Sequence, residues 1–219
     1  MAIPTTIILA DDHQIFRQGL RALIEKEPDF SIVGEAGDGL DALEMMRRLK
    51  PDVVVIDVML PGLNGLEVAR QIRMNYETTH IVVLSMFADE SYVLRGLRNG
   101  ASAYVLKCAA FEDLVHAIRE VIAGRIYLST PLSAPATMAS GKFAATANSD
   151  MYELLTDREK QVLQLAAEGL TSAQIADRLG ISRRTAETHR ANFSRKLGFQ
   201  SHIDMVAFAL RRGLIARDV

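Results

Sequence analysis

The sequence predicts an α/β domain on a doubly wound parallel sheet, followed by a small all-α domain. Three observations carry this. Short apolar, β-branched runs alternate with helix-period stretches over roughly the first 124 residues. A stretch of small and polar residues, 129–150, breaks that rhythm with two prolines and no sustained period. Beyond it there are only helical periods, each opened by a capping signal.

The elements follow in order. Residues 6–10 form a first strand, and 13–26 a helix with Ile15, Phe16, Leu20, Leu23 and Ile24 at helical spacing. A second strand at 31–36 precedes a helix at 39–49 that ends at Lys50-Pro51. The run Val53-Val54-Val55-Ile56-Asp57 has four apolar residues ending on a carboxylate, the pattern of a strand buried on both faces. Pro61, Gly62 and Gly65 stop it. A fourth strand covers 80–85, a helix 89–99, a fifth strand 103–107 and a fifth helix 111–123. Five strands alternating with helices give a flavodoxin-like order, 2-1-3-4-5.

Composition narrows the functional classes. A chain of 219 residues, 49% hydrophobic and 24% charged, is ordinary globular protein. One cysteine excludes an intrachain disulfide and a cysteine metal cluster, and it suits a reducing cytoplasm. The apolar start is short, lacks a basic flank and stops at Asp11-Asp12, so no signal peptide is expected. No apolar run is long enough for a membrane span. Residues 1–128 hold 13 Lys+Arg against 18 Asp+Glu, and residues 150–219 hold 11 against 9. An acidic front and a basic back suggest a metal for one and a polyanion for the other.

The strand layout has a chemical consequence. Asp11-Asp12, Asp57, Ser85 and Lys107 all fall at carboxyl ends of strands, hence on one edge of a parallel sheet, where open α/β sheets bind ligands. Three carboxylates gathered there repel one another unless a cation is present, and Mg²⁺ suits such a set. An aspartate can accept a phosphoryl group as an acyl phosphate, helped by positioning and charge neutralisation. Asp57 is therefore the candidate phosphoacceptor, Lys107 a point charge for a phosphate oxygen, and Ser85 a hydroxyl donor. An Asp-nucleophile phosphohydrolase is the rival reading. It usually needs a second aspartate two residues on, where Met59 stands.

In the carboxy-terminal part, Thr156 with Glu159 and Thr171 with Gln174 are capping boxes opening two short helices. A third helix spans 183–197 and a fourth about 203–212. The first two, joined by a glycine turn, match helix-turn-helix geometry. The third puts Ala186, Phe193 and Leu197 on one stripe, and Arg183, Arg184, Glu187, Thr188, Ala191 and Arg195 on the other. Such a face fits a major groove.

Residues 1–124 resemble a response-regulator receiver domain, on Asp11-Asp12, Asp57 with Pro61 and Gly65, Ser85, Tyr104 and Lys107. Residues 154–215 resemble the LuxR-type helix-turn-helix of NarL/FixJ response regulators. That match rests on Thr156, Arg158-Glu159, Gly169, Ile175-Ala176, Leu179, Ile181-Ser182, Thr185, His189, Asn192, Lys196-Leu197 and Gly213-Leu214. The resemblance implies a sensor histidine kinase that phosphorylates Asp57. It implies Mg²⁺ on Asp12, Asp57 and the Met59 backbone carbonyl, with Asp11 acting through water, and Ser85 and Tyr104 as a switch pair. It further implies homodimerisation on phosphorylation and sequence-specific binding of double-stranded DNA to regulate transcription, with RNA polymerase a further candidate partner. Glu187, Thr188 and Ala191 would lie nearest the bases, and Arg183, Arg184, Thr185, Arg195 and Lys196 on phosphates. Such a protein is not an enzyme beyond its own phosphoryl transfer and dephosphorylation. The domains would be a receiver at 1–128, a linker at 129–150 and a DNA-binding domain at 151–219. Several positions depart from the family: Cys108 stands where many receivers have proline, Ser172 and Gln174 where Asn and Glu are frequent, Ala186 where valine is commoner, Glu187 where lysine is frequent, and Ala191 where some members use lysine.

Overall fold

The computed structural model describes residues 3–109, 111–130, 132 and 151–215. Nearly all of the predicted linker, together with 216–219, lies outside the described residues. The chain divides into two units.

The first holds β1 (Thr5–Ala10), α1 (Gln14–Ile24), β2 (Phe30–Ala36), α2 (Gly39–Leu49), β3 (Val53–Asp57), α3 (Gly65–Asn75), β4 (His80–Ser85), α4 (Glu90–Arg98), β5 (Ala103–Leu106), α5 (Phe111–Ile122) and β6 (Tyr127–Leu128). The sheet order is β2-β1-β3-β4-β5-β6, every pairing parallel. The expected five-strand order is therefore present, with a correction. A sixth strand adds to the edge, pairing Ala103 with Tyr127 and Tyr104 with Leu128. Two residues are too few to show a period, so nothing in the sequence pattern marks it.

Alternation along the strands divides the core between two layers. Ile7, Leu9, Val53, Val55, Val82, Leu84, Ala103 and Val105 pack with Leu20 and Ile24 of α1 and Leu114, Ile118 and Val121 of α5. The intervening Ile8, Val54, Ile56, Ile81 and Val83 are equally buried and face the other way, the side taken by α2, α3 and α4. Both faces being covered is why β3 reads as an unbroken apolar run.

The second unit has a 3₁₀ turn (Met151–Leu154), then α6 (Asp157–Ala167), α7 (Ser172–Leu179), α8 (Arg183–Leu197) and α9 (His202–Arg212). Both predicted capping boxes form, and a third forms between Ser201 and Asp204. Gly180, Gly198 and Gly213 end α7, α8 and α9 in the left-handed conformation. The apolar interior includes Val162, Leu163, Ile175, Ala186, Phe193, Met205 and Ala209. Phe199 bridges Phe193 and Phe208, with ring centroids 6.3 and 5.3 Å away. None of the described helices is long and apolar enough to cross a membrane.

Candidate functional site: an acidic sheet edge and an exposed helix

The parallel sheet delivers its strand ends to one edge. Asp57 closes β3 and Ser85 closes β4, while Asp11 follows β1 and Lys107 follows β5. The Lys107 amide donates to the Ser85 carbonyl at 2.8 Å, which locks the last two ends together. The Lys107 ammonium lies 2.7 Å from Asp11 Oδ2 and 2.8 Å from Asp57 Oδ2. These groups are nearly dry: Asp11 is 2% exposed and Asp57 5%. Burial pushes the Asp57 carboxyl up, opposed by its hydrogen bond and attraction to Lys107. For Lys107, burial acts to lower the pKa, and hydrogen bonds to Asp11 and Asp57 outweigh it, so its pKa is raised.

Two glycines show how tightly the edge is built. A Cβ at Gly65, the first residue of α3, would stand 1.8 Å from the Asp57 carbonyl oxygen. No side chain fits there, so α3 begins directly against the backbone of Asp57. At Gly96 a Cβ would come 3.1 Å from the Tyr104 ring.

Asp11, Asp12, His13 and Asp57 each bring one ligand atom into a set lying within 4.8 Å of one another. Three hard carboxylate oxygens, with Lys107 engaging one oxygen of Asp11 and one of Asp57, fit a divalent cation such as Mg²⁺. His13 was not a sequence candidate. Its Nδ1 is 2.7 Å from Asp12 Oδ1, although the residue is largely exposed. Met59 follows β3 and is half-buried.

The two switch candidates interact directly through their hydroxyls, and both also bond Phe87. Ser85 Oγ accepts the Phe87 amide at 3.0 Å, and the Tyr104 hydroxyl donates to the Phe87 carbonyl at 2.9 Å. The Tyr104 ring is fully buried, so it is already inward here. Burial raises its hydroxyl pKa to about 12. Phe87 stacks on Tyr92 at 4.6 Å. Sequence reasoning missed Phe87. It also missed Phe16, whose ring centre is 4.9 Å from Lys107 Nζ, and Arg17, which donates to the Asp11 carbonyl and pairs with Glu35. Their helical spacing gave only a core stripe and a solvated face. Among the described residues no peptide bond is cis, so Lys107–Cys108 is trans.

In the second unit, Arg183, Arg184, Thr185, Glu187, Thr188, Ala191 and Arg195 are all exposed on α8. Arg183 Nε bonds Glu187 Oε1 at 2.9 Å, and Arg195 bonds Asn192 at 3.1 Å. Lys196, expected on phosphate, is half-buried on the same helix. Its ammonium is turned to Glu159 Oε2 at 2.6 Å and to the Leu154 carbonyl at 3.3 Å. Glu159 is buried at the start of α6, and its pKa is lowered by Lys196 and the Thr156 amide against the opposing effect of burial. Without Lys196 a buried carboxylate would lose its cation, which is why this lysine turns inward.

Known proteins carry the same two parts. Residues 7–119 match the response regulator receiver domain family, and residues 153–209 match the bacterial regulatory proteins of the luxR family. The oxygen regulatory protein NreC of Staphylococcus aureus is 37% identical over 216 residues, covering 95% of this chain and 98% of its own. A LuxR-family two-component response regulator from Aurantimonas is 35% identical with a TM-score of 0.60, covering 64% of this chain and 99% of its own. The response regulator RcsB of Salmonella typhimurium is 25% identical with a TM-score of 0.58, covering 94% of this chain and 98% of its own. An acidic strand edge in front, a capped helix-turn-helix behind, the two family matches and the near full-length match to NreC together show that the chain belongs to the NarL-type response regulators, the two-component transcription regulators that pair a receiver with a LuxR-type DNA-binding domain.

Proposed function

We propose that a sensor histidine kinase phosphorylates Asp57, and that the phosphoryl group promotes dimerisation and tighter binding of double-stranded DNA through α8. One observation carries this reading: Asp57 sits in a dry edge beside Asp11 and Asp12 with Lys107 2.8 Å from its Oδ2. In the transfer, an Asp57 carboxylate oxygen attacks the phosphorus of a phosphoimidazole on the kinase. A P–O bond forms, the P–N bond breaks, and the electron pair stays on the imidazole nitrogen, which takes a proton from solvent. Burial weakens the hydration of the Asp57 carboxylate, and Lys107 stands ready for the charge that gathers on the phosphoryl oxygens. Asp12, Asp57 and the Met59 backbone carbonyl, with Asp11 acting through water, would hold Mg²⁺, which would supply further neutralisation of that charge. Ser85 offers a hydroxyl, and Tyr104, sharing Phe87 with it, passes the change in Ser85 on to the loop after β4.

On the DNA side, Glu187, Thr188 and Ala191 lie nearest the bases, with Arg183, Arg184, Thr185 and Arg195 on phosphates. Glu187 restrains Arg183, so the two act as one reading unit: an acceptor for a cytosine amino group and a donor fork for a neighbouring guanine or phosphate. The protein would act in the cytoplasm, where its DNA and the kinase's catalytic face lie. RNA polymerase is the downstream partner such a regulator serves, and any dephosphorylation by the receiver acts on its own acyl phosphate. The test is intact mass after incubation with a small phosphodonor and Mg²⁺. One phosphoryl adduct is expected, lost in Asp57→Asn and with chelator. An adduct that survives Asp57→Asn would contradict the assignment.

A further inference from the structure

The chain leaves the receiver through β6, the strand that the sequence pattern did not mark. Ser129 follows it and is fully buried. Its amide donates to the Tyr104 carbonyl at 3.1 Å, and its carbonyl accepts the Leu132 amide at 2.7 Å. Its hydroxyl donates to Asp113 Oδ2 at 2.6 Å and accepts the Leu106 amide at 3.2 Å. One small residue thus uses all its polar atoms, and two of its bonds go to β5. The residues bonded are telling: Tyr104 is the switch aromatic, and Leu106 immediately precedes Lys107.

Asp113, in the first turn of α5, is shared. Its other oxygen takes a short hydrogen bond from the Tyr127 hydroxyl, whose ring meets His116 edge-on at 5.2 Å. Burial and the Asp113 carboxylate hold the Tyr127 hydroxyl up at about 12, so it remains a donor at any physiological pH. A sheet edge of two residues would fray if only backbone pairing held it. Here a carboxylate clamps it from both ends.

We propose that Asp113, Tyr127 and Ser129 form a latch that ties the segment leaving the receiver to the strand end carrying Tyr104 and Lys107, so that occupancy of Asp57 is read out at residue 129. The proposal rests on Asp57 being the phosphoacceptor. A phosphoryl group on Asp57 draws the Lys107 ammonium more strongly than a carboxylate does, because it carries more negative charge. Fixing Lys107 fixes the Leu106 amide that Ser129 accepts. The latch then opens less often, and the amides of Tyr127 and Ser129 are better protected. Coupling of this kind is reciprocal: loosening the latch must also weaken the hold of β5 on the phosphoryl group.

The test uses full-length protein with phosphodonor and Mg²⁺, intact mass to count the adduct, and amide hydrogen exchange in residues 125–130. Wild type is expected to take up one phosphoryl group and to exchange there about fivefold more slowly, the lower end of ordinary coupling strengths. Ser129→Ala and Asp113→Asn should still take up the group at Asp57 but show the same exchange with and without it. Tyr127→Phe keeps the ring and removes one bond, and it should give a reduced difference. If Ser129→Ala fails to fold, Tyr127→Phe alone decides. An adduct with no change in exchange, or an undiminished change in the variants, would overturn the latch while leaving the Asp57 assignment standing. No adduct in wild type would overturn the assignment, and the latch with it.

Discussion

The sheet edge around Asp57 and the outer face of α8 are both clusters of charged side chains, and they are built in opposite ways. At the edge, Lys107 is held between two carboxylates, and all three side chains are less than a tenth exposed. On the outer face of α8 Arg183, Arg184 and Arg195 are exposed, and among the described residues Arg183 and Arg195 bond Glu187 and Asn192 of the same helix. The first is preorganised in a low dielectric, where each interaction is strong and each displacement costly. The second is screened and adjustable, as a surface must be if it is to exchange counterions for phosphates. A site that makes a covalent bond requires fixed groups. A site that reads a groove can keep its long side chains mobile until the DNA arrives.

The largest effect is expected at Asp57. Asp57→Asn should abolish the phosphoryl adduct by intact mass, a complete loss. Without metal the same change should raise thermal stability. The carboxyl pKa is raised in the folded state, so the native protein binds the extra proton. Asp57 therefore contributes less stability as pH rises above the ordinary carboxylate range and through the folded value. A melting series in chelator from acid to neutral pH should show wild type and Asp57→Asn diverging upward in pH. Identical curves would show that the edge carries no such penalty.

Next in size, Lys107→Ala should slow phosphorylation by a small donor about 10²-fold, the usual loss when one preorganised charge donor is removed. Rates followed by mass at fixed donor check this. Gly65→Ala should cost about 3 kcal/mol or more in denaturant unfolding, because backbone must move to admit the methyl group.

On α8 the effects should be smaller and of another kind. Arg184→Ala should weaken binding to all duplexes alike and reduce the slope of log affinity against log salt by about 1. Lys196→Ala is the sharpening control. It should leave that slope unchanged and lower the stability of the domain, since its partner is Glu159 rather than a phosphate. Smallest of all, Thr156→Ala should cost about 1 kcal/mol through the lost cap, visible in thermal unfolding.

The same contrast explains what could be read in the sequence. Asp57, Ser85 and Lys107 were legible because a buried parallel strand is an apolar run, and a polar residue at its end stands out. The capping boxes at Thr156 and Thr171 were legible because their chemistry is local. Ser129 was not, since its importance comes from Asp113, Tyr104 and Leu106, which are distant in sequence. The Lys196–Glu159 pair was not legible because helical period gives the direction of a Cβ but not where a four-carbon stem turns. Phe87 was hidden because both of its bonds use backbone atoms, which any residue would supply. The pairing of Arg183 with Glu187 could be drawn from their spacing, but the base sequence they select could not, because it depends on a partner's shape.

The most direct test of the central claim is DNA affinity of the full-length protein with and without the phosphoryl group on Asp57, on one duplex selected from a random pool by the phosphorylated form. Tighter binding is expected when Asp57 is loaded, by at least about fivefold, with no response in Asp57→Asn. Equal affinity in both states, with the adduct confirmed by mass, would contradict it.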